Sequence, residues 1–140
     1  MRPKRPHNIG VIGIGNVAVN SHLPAYNWGE NVNVIALSDL NSEVLRSQTE
    51  KWNIPNTFTD YKQMIAMPEI EAIDVAVPAE YHKAVVLDCL AGGKHVLCQK
   101  PLSDNFSDAV EMVNAAEKAG LILAVNQNTR WIPTYRKCAS

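Results

Sequence analysis

This sequence has no marked excess of either positive or negative charge. Thirteen Lys and Arg residues face fourteen Asp and Glu, which leaves a net charge of −1 over 140 residues. That balance gives no electrostatic footing for nucleic acid or an anionic membrane, and neither is expected as a partner. Cysteine is scarce. Cys89, Cys98 and Cys138 are odd in number and lack the spacing of a disulfide framework or a metal site. They point to a reducing, cytoplasmic setting in which thiols are simply buried, and to no bound metal. Long apolar runs are absent too, so no segment reads as a membrane span. The basic start, Met1-Arg2-Pro3-Lys4-Arg5-Pro6-His7, has no apolar stretch behind it of the kind a signal peptide needs. Residues 1–7 read as a flexible, solvated tail. The remaining composition, 46% apolar and 19% charged, suits a soluble globular chain. A domain of this length buries roughly two-thirds of its unfolded surface and needs no staples.

The most informative segment is Ile9-Gly10-Val11-Ile12-Gly13-Ile14-Gly15-Asn16-Val17-Ala18. A β-branched run enters a glycine turn and a helical pattern follows. Gly13, Gly15 and Ala18 fit the G-x-G-x-x-G/A dinucleotide fingerprint. In that reading Gly13 permits the tight turn, and Gly15 lets the backbone approach a pyrophosphate. Ala18 lets helix and strand pack closely. The helix from Asn16 offers the N–H groups of Asn16 and Val17 and a positive dipole end to the phosphates. Asp39 lies 21 residues past Ala18, at the end of a second apolar run, where a ribose-binding carboxylate is expected.

The rest of the chain alternates short apolar runs with helical patterns, which predicts βαβ units and a parallel sheet. Strands are expected at 8–13, 32–38, 56–58, 72–77, 95–98 and 121–125. Helices are expected at 16–28, 41–52, from Asp60, through Ala91 and from Asn105. Pro24 should kink or shorten the first. Asp60 with Gln63 resembles a capping box, with Tyr61, Met64 and Ile65 as the buried stripe behind it. Phe106, Ala109, Val110, Val113 and Ala116 form the expected buried stripe of the last helix, and Gly120 is placed to end it. Six strands with helical crossovers predict an α/β, doubly wound, mostly parallel sheet of order 3-2-1-4-5-6 over residues 8–126.

Three polar segments fall at or just past the carboxyl ends of strands four, five and six, the edge where open α/β sheets bind ligands. They are Pro78-Ala79-Glu80-Tyr81-His82, Gln99-Lys100-Pro101, and Asn126 to Pro133 around Arg130. With Gly13–Ala18 and His22-Leu23-Pro24-Ala25, they make residues 8–136 resemble the amino-terminal domain of the glucose–fructose oxidoreductase and inositol dehydrogenase family. The resemblance implies NAD or NADP binding and hydride transfer with a sugar, polyol or similar substrate. It implies cofactor contacts from Gly13, Gly15, Asn16, Val17, Asp39, Pro78, His82, Gln99 and Lys100. It also implies a second α/β domain, absent from this 140-residue chain, to which residues 127–140 would begin the connection. That domain would supply most substrate contacts, so the chain alone is not expected to be catalytically complete. An open edge near residues 126–135 would favour self-association.

Lys100 is the candidate catalytic residue. As a cation it stabilises a developing alkoxide, and in a desolvated site it can relay the alcohol proton. The family's usual Glu-Lys-Pro is Gln99-Lys100-Pro101 here, so no carboxylate stands beside the ammonium. A non-catalytic dinucleotide-binding module is therefore the alternative reading. A methyltransferase also places an acid after strand two, but Ala18 and Lys100-Pro101 argue against it. His82 falls in the first turn of a helix, where the dipole favours the neutral ring. It reads either as a hydrogen-bonding partner of the nicotinamide ribose or substrate, or as a solvent-facing helix residue. His22 reads as structural, and Arg130 either as a contact for a substrate or cofactor group or, preferably, as a partner for a carboxylate at a domain boundary. Trp131 and Tyr135 read as cover for the sheet edge or for the interface with the missing domain. No basic residue directly follows Asp39 to receive a 2′-phosphate, so NAD is expected over NADP.

Overall fold

The computed structural model describes residues 5–131. Six strands form one all-parallel sheet: β1 (His7–Ile12), β2 (Val32–Ser38), β3 (Asn56–Phe58), β4 (Ala72–Val75), β5 (His95–Gln99) and β6 (Leu123–Asn126). Their order is β3-β2-β1-β4-β5-β6, as expected from the sequence. Strand order reverses between β1 and β4, which opens a crevice at their carboxyl ends.

Five α-helices flank the sheet: α1 (Leu23–Trp28), α2 (Ser42–Trp52), α3 (Tyr61–Ile65), α4 (His82–Ala91) and α5 (Phe106–Ala119). Two cores follow from this layering. Ile73, Val75, Val96 and Cys98 pack under Met64, Val86, Cys89 and Met112 from α3, α4 and α5. On the other face Val11 and Leu37 pack under Ala18, Leu23 and Leu45. Asn41 caps α2, its side chain accepting from the Glu43 and Val44 N–H groups, and Asp60 caps α3 by accepting from Lys62. Met64 and Ile65 are buried as expected. Burial raises the Cys89 and Cys98 thiols to about 12, with Asp88 adding to the first and Asp74 to the second. No helix among the described residues is long and apolar enough to cross a membrane.

Three expectations need correction. The first helix runs on to Trp28 and is not shortened by Pro24. The turn before it widens into a π-helical segment, Ala18–His22, in which the Leu23 N–H donates to the Ala18 carbonyl five residues back. Widening makes room for a ring that cannot donate and would crowd the preceding turn. Strand four ends at Val75 rather than Val77: the Ala76 N–H makes a last bond to the Ile12 carbonyl at 2.8 Å, and the chain then turns over Gly13. In α5 the buried residues are Met112 and Ala116, whereas Phe106 is 85% exposed and Val110 and Val113 also face outward. The helix is apolar on two adjoining arcs, and the sheet takes the one centred about 100° round from the expected stripe.

Candidate dinucleotide site

The glycine turn sits at the crevice, and each glycine has a different reason to be there. Gly13 has φ +88°, and its N–H donates to the Ser38 carbonyl of β2 at 2.9 Å. A Cβ on Gly13 would lie 2.7 Å from the Val77 nitrogen and 2.8 Å from the Ala76 carbonyl carbon. Both the left-handed backbone and the β4 loop therefore exclude a side chain there. Gly15 is the opposite case, since a Cβ would meet nothing within 4 Å. The protein does not use that space. Helical turns begin at residue 16, and the Val19 N–H reaches back to the Gly15 carbonyl at 3.0 Å. The first N–H groups of this helix lack intrahelical partners and stand next to that space. Ala18 is fully buried against the sheet, as its place in the fingerprint requires. Asn16 is exposed and tied to Asn20. Val17 is 39% exposed.

Asp39 has a role that spacing did not reveal. Its Oδ2 accepts the Ile14 N–H at 2.7 Å, and its Oδ1 accepts the Asn41 N–H at 2.8 Å. The carboxylate thus ties the glycine turn to the start of α2. Each oxygen keeps a lone pair for a further donor. A groove of about 430 Å³ runs over these groups, lined mainly by apolar side chains and including Gly13, Gly15, Asp39, Pro78 and Tyr81. Leu40 also lines it and is 93% exposed, while Tyr81 is 54% exposed. Two large side chains standing in water beside an apolar groove suit a flat aromatic ligand laid between them. Neither was singled out from the sequence. The signal available was Leu40 itself, an apolar residue directly after the acid.

At the far side of the switch point, β5 ends in Gln99, and the Lys100–Pro101 peptide that follows is cis. The Gln99 side-chain oxygen accepts the Lys100 N–H at 3.0 Å. Gln99 therefore shapes the backbone here. Lys100 is exposed, and its ammonium has no hydrogen-bond or ion-pair partner among the described residues.

His82 fits neither sequence alternative. It is 1% exposed, so it does not face solvent. Its Nε2 lies 2.8 Å from the Val77 carbonyl oxygen, and its Nδ1 lies 2.9 Å from that of Pro101 and 3.2 Å from that of Leu102. Both ring nitrogens are engaged by the main chain, which leaves neither for a ribose or substrate hydroxyl. Its helical spacing showed the face of α4 it occupies but not the second loop folded over it.

His22 is structural, as expected. The Nδ1–H donates to Asp74 Oδ2 at 2.7 Å, the Tyr26 hydroxyl donates to the same oxygen at 2.9 Å, and the Asn126 amide meets His22 Nε2 at 3.0 Å. Burial, with Asp74 beside it, raises the Tyr26 phenol well above its ordinary value. The Arg130 and Trp131 side chains, and all of Tyr135, lie outside the described residues.

Fold and groove together define a dinucleotide-binding Rossmann domain, with a phosphate-ready turn, an acid after the second strand and a ligand crevice at the strand reversal. A family model for oxidoreductases with an NAD-binding Rossmann fold (GFO_IDH_MocA) matches residues 7–127, and the chain belongs to that family. It is 31% identical over 129 residues to the myo-inositol 2-dehydrogenase of Thermotoga maritima, covering 92% of this chain and 38% of that protein. It is 33% identical over 123 residues to the D-apiose dehydrogenase of Paraburkholderia graminis, covering 88% and 32%. Among solved structures it resembles KijD10, a 3-ketoreductase from Actinomadura kijaniata in complex with NADP and TDP-benzene. The TM-score is 0.90 at 28% identity, over 96% of this chain and 41% of that one. The chain thus spans roughly a third to two-fifths of the length of these relatives.

Proposed function

We propose that this chain is the cofactor-binding part of an NAD-dependent oxidoreductase that moves a hydride to or from a sugar, polyol or related hydroxy or carbonyl compound in the cytoplasm. The observation that carries the reading is the unused space over Gly15, set in one groove with the Asp39 carboxylate. The residues present fit the cofactor. The turn from Gly13 to Gly15 and the N–H groups of Asn16 and Val17 suit a pyrophosphate, and the free lone pairs of Asp39 suit the adenosine ribose hydroxyls. Leu40, Pro78 and Tyr81 suit the adenine faces. When bound, the nicotinamide supplies the hydride chemistry.

The chain's own part in the reaction is to orient and to handle a proton. Asp39 holds the glycine turn through Ile14 and so sets the height of the phosphate cradle. Gln99 fixes the Lys100 backbone, and the Lys100 ammonium, without a partner among the described residues, is available to meet an oxygen of the substrate. There it would stabilise developing negative charge or pass the hydroxyl proton. Asp39 also favours NAD, because a carboxylate with no basic residue beside it repels a 2′-phosphate. KijD10, which this chain resembles, is in complex with NADP.

The experiment is thermal unfolding of the chain with and without cofactor. A ligand present at 100 times its Kd stabilises the folded state by about 2.7 kcal/mol, so the midpoint should rise clearly with NAD and less with NADP at equal concentration. Failure of both to protect the chain ends the proposal. The replacement of the family's Glu by Gln99 favours a second reading, a non-catalytic dinucleotide-binding module. In a form of the protein that turns over a polyol, Lys100→Met should abolish turnover while sparing NADH binding; unchanged turnover would remove Lys100 from the chemistry.

A further inference from the structure

His82 is a buried ring held from two sides. Three main-chain carbonyls, those of Val77, Pro101 and Leu102, lie within 3.2 Å of its two ring nitrogens. Carbonyl oxygens only accept hydrogen bonds, so the ring is the donor here, and at 1% exposure little water competes with it.

The two sides of the ring belong to different loops. Val77 lies just past β4, in the strand end that wraps Gly13, whereas Pro101 and Leu102 follow Lys100 past β5. We propose that His82 is a positioning residue that staples the loop after β4 to the Lys100-Pro101 loop, its buried ring lying within hydrogen-bond distance of main-chain carbonyls on both sides. Through Val77 the staple reaches the phosphate turn, and through Pro101 it reaches Lys100. It therefore sets the distance between the pyrophosphate end of the groove and the ammonium on the nicotinamide side. Lys100 has no other side-chain tether among the described residues, so its place depends on its backbone. The cofactor arm of this inference rests on the dinucleotide reading above; the hydrogen-bonding arm does not.

Two measurements test it. The first is a long-range proton–nitrogen spectrum of the unsubstituted 140-residue chain, labelled at histidine and recorded at neutral pH. A His82 ring N–H held in a hydrogen bond and slow to exchange with water is expected, and a ring that exchanges as freely as an exposed histidine would overturn the staple. This needs no cofactor and no variant, so it stands even where a substitution unfolds the chain. The second compares NADH with ADP, which occupies only the adenosine and diphosphate half of the groove. In His82→Gln, whose amide cannot span both loops, NADH affinity should fall about tenfold and ADP affinity should change by less than about twofold. Equal losses for both ligands would mean a general loosening of the fold and would refute a positioning role, as would no loss for either. Should the unsubstituted chain bind neither ligand, the dinucleotide reading fails while the spectrum still decides the staple.

Discussion

Gly13 and Gly15 are two residues apart in one turn, yet substitution should separate stability from binding. In Gly13→Ala the backbone must hold φ +88° with a side chain, which costs about 1–2 kcal/mol. The new Cβ would also lie 2.7 Å from the Val77 nitrogen and 2.8 Å from the Ala76 carbonyl carbon. Those are main-chain atoms held at the end of β4, so they give way only by shifting the strand, and crowding of this kind costs about 1–3 kcal/mol more. A total near 3 kcal/mol is a large share of a stability of about 5–15 kcal/mol. With a urea dependence of about 1.5 kcal/mol per molar, the unfolding midpoint should fall by about 2 M. In Gly15→Ala the added methyl meets no protein atom within 4 Å, so stability should stay within about 0.5 kcal/mol or rise slightly. Its NADH affinity should nevertheless fall at least about tenfold, because the methyl occupies the space assigned to the pyrophosphate. Urea unfolding followed by circular dichroism, paired with NADH titration of each variant, reads both quantities. Equal destabilisation by the two substitutions, or full NADH affinity in Gly15→Ala, would refute the assignment of roles.

Other expectations follow from the same geometry. Asp39→Ala should cost about 1–3 kcal/mol, because the Ile14 and Asn41 N–H groups lose their shared acceptor, and it should narrow any preference for NADH over NADPH; unchanged stability by urea unfolding would contradict the bridging role. Arg5, the Asn8 N–H and His7 hold the Glu71 carboxyl down at about 2, well below its ordinary 4.5. Its stabilising contribution is therefore complete above about pH 4.5 and is lost as the pH falls toward 2, so Glu71→Gln should flatten that part of an acid-unfolding curve. Cys89 and Cys98 should resist alkylation at pH 8 in the folded chain and react on unfolding; rapid native labelling at either would contradict their burial. Phe106, Val110, Val113 and Ile122 are exposed along α5 and the turn before β6, and sedimentation should show concentration-dependent association; a monomer at all concentrations would refute it.

Much of the fold was legible because local signals and global topology agree. Asn41, Asp60, Asn105 and Gly120 mark helix ends by side-chain chemistry or backbone freedom, and each stands at the end it signals. The bounds of β2 and β3 match the expected ones, since β2 is a near-continuous apolar run covered on both faces. What failed was phase and reach. The α5 sequence contains two adjoining apolar arcs, and periodicity alone cannot choose which of them meets the sheet. His82 escaped because its partners come from Val77, Pro101 and Leu102, whose carbonyls carry no side-chain signature. Spacing marked Asp39 as a candidate ribose acceptor, but its bond to Ile14 depends on how the turn folds back over β2. Sequence names the groups at a site more readily than it names what main-chain atoms do there.

In the proposed reading the glycine turn and Asp39 hold a dinucleotide. Equilibrium titration of the 140-residue chain with NADH, followed by the fluorescence of the reduced nicotinamide, tests it most directly. Saturable binding at one site per chain is expected, competed by ADP and weaker for NADPH. Absence of saturable binding of either reduced dinucleotide to the folded chain would contradict it.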